Sequence, residues 1–364
     1  MARGRATWMV AIFIALPATA AAQDMVFGLD ETGQPPAPPV DDRPPSESMA
    51  NALRLYQGER WTEASVLFSR VLSGETDDSP ANLHKAQFFL AKALFHQRFH
   101  RGSLAILEEI AQAGVGHAYF EQALPWLAQL ATQLPVPAGI VELVGLYPPA
   151  MVDALDRDET REVHDHLLYL SGRHAYATGD FDDAVARLDR VSPASEHYVP
   201  ARFFAGVTHV RLRRARPAIA AFRAVLDAPG VSSRMRNLAW LSLARVYYTA
   251  ANRTDERGQP IVDPTLLGNA LVAWDRVEPS SEYWLDALFE QAWGLYLAHQ
   301  ESRAMGNVFS LLSPYFEDAY YPEAYVIKAV VFFGACQTEN AEAMVHQFHE
   351  RFDPVREELA TTLE

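Results

Sequence analysis

The stretch Gly172-Arg-His-Ala-Tyr-Ala-Thr-Gly-Asp-Phe-Asp-Asp-Ala-Val-Ala-Arg-Leu-Asp-Arg-Val191 carries the information that decides the fold. His166 to Ala177 has the apolar spacing of an amphipathic helix, and Thr178-Gly179-Asp180 forms a turn signal. Asp182 to Val191 then reads as a second helix that Pro193 stops. Gly179 supplies the backbone freedom of a tight turn, and Asp180 is placed to cap the second helix. Gly172 and Ala184 are small where the two helices cross, and Phe181, Leu188 and Val191 fill the space around that crossing.

The pattern returns. Gly172, Ala184, Leu188 and Val191 are answered 34 positions on by Gly206, Ala218, Phe222 and Val225. A period in this range is the mark of a solenoid of stacked units. Further pairs follow downstream: Trp240, Leu243, Ala244 and Tyr247 with Ala270, Trp274 and Val277; Leu288, Ala292 and Leu295 with Ala304 and Leu311; and Tyr325, Ala329 and Phe332 with Ala341 and Phe348. Upstream, Trp61, Ala64, Phe68 and Val71 read as a second helix, and Ala91, Leu94, Ser103, Leu107 and Ile110 as a complete hairpin. Residues 117–163 keep a helical period, but Pro125, Pro135, Pro137, Pro148 and Pro149 are expected to break them into short pieces.

These units resemble the tetratricopeptide repeat (TPR). The likeness rests on Gly172, Gly179-Asp180-Phe181-Asp182-Asp183-Ala184 and the trailing Pro193, with Leu168 and Ala175 standing where the family has aromatic residues. It covers roughly residues 48–352 and is strong from 165 onward. It implies an all-α, right-handed α-solenoid of about seven to eight antiparallel hairpins. The expected organisation is a signal peptide (1–22), a proline-rich linker (23–47), degenerate helical repeats (48–163), regular TPR-like repeats (164–352) and a terminal helix (353–364), with a longer parent protein left open.

Two local features stand apart. Several first helices have an aromatic lead-in: Ser195-Glu-His-Tyr198-Val-Pro-Ala201, Ser281-Glu-Tyr283-Trp284-Leu-Asp-Ala287 and Asp318-Ala-Tyr320-Tyr321-Pro-Glu-Ala324. Ser195, Ser281 and Asp318 suit helix starts, and the aromatics are expected to staple one hairpin to the next. This lead-in resembles the repeats of bacterial periplasmic and outer-membrane assembly proteins. The turn between Ala244 and Ala270 also holds 14 residues more than its counterpart between Gly172 and Ala184, so a polar insert near Ala251–Pro264 projects from one edge.

Composition sets the address. Arg3 and Arg5, the apolar run Trp8 to Leu16 and the small residues Ala18-Thr19-Ala20-Ala21-Ala22 have the order of a secretory signal peptide, with cleavage expected before Gln23. The apolar run is too short to span a bilayer. No cysteine follows the cleavage region, so lipid anchoring is not expected; Cys336, the only cysteine, sits in an apolar run and reads as a buried thiol. The chain carries 31 Lys+Arg against 46 Asp+Glu, a net charge of −15, which opposes binding to nucleic acid or anionic lipid. Residues 23–46 hold Gln34-Pro-Pro-Ala-Pro-Pro39 and Arg43-Pro-Pro45, the composition of an extended spacer or a docking peptide.

In arrays of this family the first helices line an inner groove. Residues three before, one after and four after each small crossing residue share that face. The candidates are Tyr169, Arg173 and Tyr176; Phe203, Val207 and Val210; Leu241, Arg245 and Tyr248; Phe289, Trp293 and Tyr296; and Val326, Val330 and Phe333. The groove so read is aromatic, with Arg173 and Arg245 to meet acidic groups, or else these side chains pack against the next unit. The lysines and asparagines of the family's carboxylate-clamping groove are absent at these positions.

None of the three lysines follows a phosphate loop, and no Gly-x-Ser-x-Gly elbow occurs. His96 and His100 have zinc-ligand spacing, but Gln97 stands where a metalloprotease has its glutamate; His164/His166 and His346/His349 are further close pairs. Arg211, Arg213, Arg214 and Arg216 gather at one inter-helix turn. The expectation is a non-enzymatic, exported, periplasmic scaffold in an envelope complex, with a protein or peptide partner, no cofactor and no metal. Two other readings fit the sequence: an accessory module recruiting substrate to an envelope enzyme of peptidoglycan or outer-membrane assembly, and a self-assembling structural array.

Overall fold

In the computed structural model, which describes residues 44–363 except 135–138, 255–256 and 317, the chain is a succession of antiparallel helix pairs. The first pairs are α1 (Glu47–Gln57) with α2 (Trp61–Leu72), and α3 (Pro80–His96) with α4 (His100–Ala113). Next, α5 (Phe120–Gln133) packs against the short α6 (Ile140–Gly145), followed by α7 (Pro149–Asp153). The regular pairs are α8 (Arg161–Thr178) with α9 (Phe181–Leu188), α10 (Tyr198–Arg211) with α11 (Ala215–Asp227), and α12 (Ser233–Ala251) with α13 (Pro264–Trp274). The array continues with α14 (Trp284–Leu297) and α15 (Glu301–Leu311), then α16 (Glu323–Gly334) and α17 (Thr338–Leu363). Each helix touches its successor along the chain, α6 reaching α8 directly. The expected signal peptide and Pro135 and Pro137 lie outside the described residues, as does nearly all of the linker.

The crossing of each pair follows from residue size. A methyl group built on Gly172 would sit 2.7 Å from Leu188 Cγ and 3.3 Å from the Ala184 carbonyl oxygen. On Gly206 it would meet the Phe222 ring at 2.6 Å. Both crossings leave no room for a side chain, as the 34-residue pattern implied. Gly294 is tight for another reason: it faces Trp274 of the preceding pair, 2.8 Å from a built Cβ.

The turns repeat as faithfully as the crossings. Glu59, Arg98, Gly179, Arg213, His299 and Cys336 all have positive φ, one in each of six intra-pair turns. In every case the next residue's amide donates back to the carbonyl five residues earlier: Arg60 to Leu55, Phe99 to Leu94, Asp180 to Ala175, Arg214 to His209, Gln300 to Leu295 and Gln337 to Phe332. That is the Schellman closure of a helix end. Only Gly179 adopts it without steric cost. Asp180 caps α9 as expected, its Oδ1 accepting from Asp183 N at 3.1 Å.

Several expectations are corrected. Cys336 is exposed, because it occupies the left-handed turn residue between α16 and α17 rather than a helix interior. Pro125 does not break α5, which runs through it. The lost interior hydrogen bond costs about 3 kcal/mol, whereas α5 buries Leu124, Leu127 and Leu130, each worth ~1.5–3 kcal/mol. Pro148 caps α7 and Pro149 is its first residue, the position proline suits. Asp353-Pro354 starts no new helix: α17 continues to Leu363, with Phe348 and Phe352 packed on Tyr325 and Tyr320. The polar insert forms a small antiparallel ribbon, β1 (Asn252–Thr254) with β2 (Pro260–Val262), whose residues are largely exposed.

The core does not pause where the repeats become regular. One cluster holds Leu107, Leu127, Leu143, Leu167, Leu168 and Leu188 together, so the irregular and regular pairs share a continuous interior. A second cluster runs from Ala218 to Ala304 around Trp274.

Gly172→Ala is expected to lower stability by about 1–3 kcal/mol, since Leu188 Cγ is a branch point that cannot swing aside. Arg98→Gly or His299→Gly should raise it by about 0.5–1 kcal/mol by relieving the left-handed turn, and Gly179→Ala should lower it by about 1 kcal/mol. Urea unfolding of each variant measures all three.

Candidate protein-binding groove

The first helices of most successive pairs lie side by side. α1 touches α3, α3 touches α5, α5 touches α8, α8 touches α10 and α14 touches α16. Among the second helices of the described residues the only such contact of comparable extent is α4 with α6. The row therefore closes toward its first helices, and their free face is the inner one.

The candidate residues divide along this face. Tyr169 and Arg173 are half-buried, with the guanidinium 5.6 Å from the ring centre, and no described carboxylate lies within ion-pair distance of Arg173. Tyr176 is occupied: its ring packs edge-on to Phe204 at 4.9 Å and its hydroxyl accepts from Arg211 Nε at 3.0 Å. Phe203 packs against Phe222 at 5.4 Å between ring centres. Leu241 is a core residue and lines nothing.

Arg245 is also committed within the chain. Its guanidinium meets Glu290 at 2.6 Å, and Glu290 accepts from the Trp274 indole at 3.1 Å. Burial works against the arginine's charge, but the hydrogen bond and attraction of Glu290 prevail and raise its pKa. Tyr248 leans on Trp274 at 5.6 Å and Phe289 on Tyr321 at 5.7 Å. Trp293 and Tyr296 pack edge-on at 6.4 Å, and the Trp293 indole nitrogen is buried with no protein partner. Phe333 is 70% exposed near the end of α16, and Val210 and Val326 are exposed as well. Packing between units thus takes up Leu241, Arg245 and Tyr176, packing within its own pair engages Phe203, and Tyr169, Arg173 and Phe333 stay at least partly accessible.

The aromatic lead-ins staple the pairs, though not as helix caps. Ser195 and Ser281 lie before the cap positions of α10 and α14; their hydroxyls accept from His197 N at 3.1 Å and Tyr283 N at 3.2 Å, forming tight turns. The rings then reach back. His197 stacks on His166 of α8 at 3.8 Å, and Tyr321 donates to Asp286 of α14 at 2.7 Å. His117 packs on His84 of α3 with the rings tilted, 4.1 Å between centres.

The strongest cation–aromatic group was not among the candidates. The Lys92 ammonium lies 4.9 Å from the Phe89 ring centre, 5.1 Å from Trp126, 5.2 Å from Tyr56 and 5.4 Å from Phe88. No described carboxylate pairs with it, and burial among the rings lowers its pKa. Burial pushes the Tyr56 hydroxyl up to about 12. The groove rule finds this group when it is applied upstream, because Phe88, Lys92 and Phe95 are three before, one after and four after Ala91. His96, one of the pair at zinc-ligand spacing, stacks on Trp61 at 4.3 Å. A further group also escaped sequence reading: His197 Nε2 lies 3.7 Å from Glu162 and 3.6 Å from Glu196, a cluster of cation-ligating type brought together by the lead-in of α10.

Taken together, pair crossings, Schellman turns and an inner row of first helices define a TPR-like α-solenoid. No protein-family model matches the chain, and no curated protein matches it. Solved structures that resemble it include MamA, at 15% identity over 51% of this chain and 97% of that one with TM-score 0.41. The C-terminal part of a TPR repeat-containing protein from Cytophaga hutchinsonii resembles it at 13% identity over 77% and 98%, with TM-score 0.44. The apo form of RapI does so at 10% identity over 85% and 86%, with TM-score 0.43. Likenesses this distant carry no argument about partners; the fold assignment stands on the hairpin geometry.

The histidine pairs set a pH dependence. Burial first, then the neighbouring histidine, depress His117 to about 4 and His166 to about 3. His117 Nδ1 accepts from Tyr119 N at 3.1 Å, which requires that nitrogen unprotonated. The unfolded chain takes up protons near pH 6.5 and the folded one only below those values, so stability is full above 6.5 and falls on acidification. Each histidine should remove up to about 1.4 kcal/mol per pH unit across that window. Urea titrations at pH 7, 6 and 5 should show the slope, and His166→Gln should reduce it.

Proposed function

We propose that this chain is a non-enzymatic scaffold, exported to the periplasm of a Gram-negative cell, that holds a protein partner within an envelope complex. A TPR-like solenoid is a fold suited to protein–protein interaction, and no helix of the described residues is long and apolar enough to cross a membrane. The Arg3–Ala22 pattern supports export.

One observation carries the binding reading: Arg173 stands over Tyr169 on the inner face, half-buried and without an acidic partner among the described residues. An arginine held against a ring is already ordered, so an acidic group on a docked segment gains a charge-assisted hydrogen bond with little further loss of side-chain freedom. The neighbouring rings supply apolar area of the kind that dominates interface energetics.

The test is capture from cross-linked envelope extracts with the mature chain as bait. Wild type should retain a defined partner, and Tyr169→Ala with Arg173→Glu should lose it at least about tenfold, the size of a hot-spot pair, with unchanged thermal unfolding. Equal capture by both forms would overturn the groove, and recovery of the native chain from the cytoplasmic fraction would overturn export.

A further inference from the structure

Lys92 occupies an unusual position for one of only three lysines in a chain of net charge −15. Four rings from α1, α3 and α5 approach its ammonium to within 4.9–5.4 Å, and no described carboxylate neutralises it. Tyr56, Phe89, Lys92 and Trp126 are each only partly buried, so the group forms an open, ring-walled trough on the first inner helices. Aromatic troughs favour proline-rich segments, whose rings lie flat on aromatic faces and whose backbone is already ordered by fixed φ. A central ammonium adds a demand for acid.

The chain itself carries a segment that answers both demands. Gln34-Pro-Pro-Ala-Pro-Pro-Val-Asp41-Asp42-Arg-Pro-Pro45 joins four prolines, an acidic pair and two more prolines directly before Ser46. We propose that the Tyr56–Phe89–Lys92–Trp126 trough is the docking site of this segment, with proline rings on the aromatic faces and the carboxylate of Asp41 or Asp42 at the Lys92 ammonium.

The tether is fixed and long enough. Ser46 caps α1 by accepting from Met49 N at 3.1 Å and is itself held by Asp78, whose Oδ1 accepts from Ser46 N at 2.9 Å. From there to Tyr56 is ten residues of helix, about 15 Å at ~1.5 Å per residue. A twelve-residue proline-rich segment spans about 37 Å at ~3.1 Å per residue, more than enough to fold back along α1. The acidic pair is four and five residues from the anchor, and about 12–16 Å of extended chain is enough to reach the trough. Attachment through so short a linker gives an effective concentration in the millimolar range, so a site of modest affinity is filled by its own chain first. An outside partner that uses the N-terminal end of the inner face must then displace this segment.

A photo-cross-link in the full mature chain tests the proposal. With Val40 replaced by p-benzoylphenylalanine, irradiation at low protein concentration should join it, within one chain, to peptides containing Tyr56, Phe89 or Trp126. Lys92→Glu should cut the yield by about fivefold, the scale of a surface ion pair. Asp41→Lys with Asp42→Lys should cut it equally. Lys92→Glu combined with both lysine substitutions should restore it, while circular dichroism and thermal unfolding confirm that each variant is folded. Cross-links confined to other helices, cross-links only between two copies in a mixed-isotope sample, or a yield indifferent to both charge reversals would overturn the assignment.

Discussion

Everything in this molecule depends on how closely two helices of one pair can approach. At Gly172 the backbone of α8 lies so near α9 that a single methyl group would overlap Leu188. Close approach lets Leu188 and Val191 bury fully against the facing helix, and a pair so closed presents two apolar flanks to its neighbours. One pair alone could not bury both flanks, which is why the chain must repeat. The left-handed turns follow from the same requirement. A Schellman closure brings the chain round in a single residue, and five pairs accept a non-glycine there although its side chain is strained.

The seams between pairs are built differently. Here, apart from Gly294 against Trp274, rings and polar side chains carry the contact: His197 lies on His166, Tyr321 reaches Asp286, and Glu290 collects both Arg245 and the Trp274 indole. Each of these contacts is made by a side chain on the inner face or in a lead-in to it. Seam packing and the proposed partner binding therefore draw on one set of residues. Where the seam needs the side chain, as with Arg245, the proposed groove loses it; where it does not, as with Arg173, the cation stays unpaired among the described residues.

This division explains what the sequence could and could not disclose. The pairing of helices was legible because it is local: Gly172 and Ala184, the Gly179 turn and the Asp180 cap are all set within twenty residues. The 34-residue echo then carried the fold over the regular pairs. Partners across seams were not legible. The distance from Arg245 to Glu290 is 45 residues, and nothing near either residue states that they meet. Cys336 was misplaced because an apolar run resembles a helix interior even where its last member is the turn. The prolines misled in the opposite direction, since Pro125 and Pro354 sit in helices that packing or aromatic contacts hold together. The Lys92 group was within reach of the same offsets that selected Arg173, had the rule been carried into the degenerate pairs.

The three inner-face cations show how one position is put to different uses. Lys92, Arg173 and Arg245 each follow the small crossing residue of a first helix: Ala91, Gly172 and Ala244. One is ringed by aromatics, one rests on a single tyrosine, and one is closed by a glutamate. Lys92 is held among rings without a carboxylate partner among the described residues, and burial there lowers its pKa. Arg173 likewise has no acidic partner among the described residues, whereas Arg245 is paired with Glu290. On the proposed reading an acidic segment would find its cation in the N-terminal and central pairs and not where α12 meets α14, whose cation Glu290 has already closed.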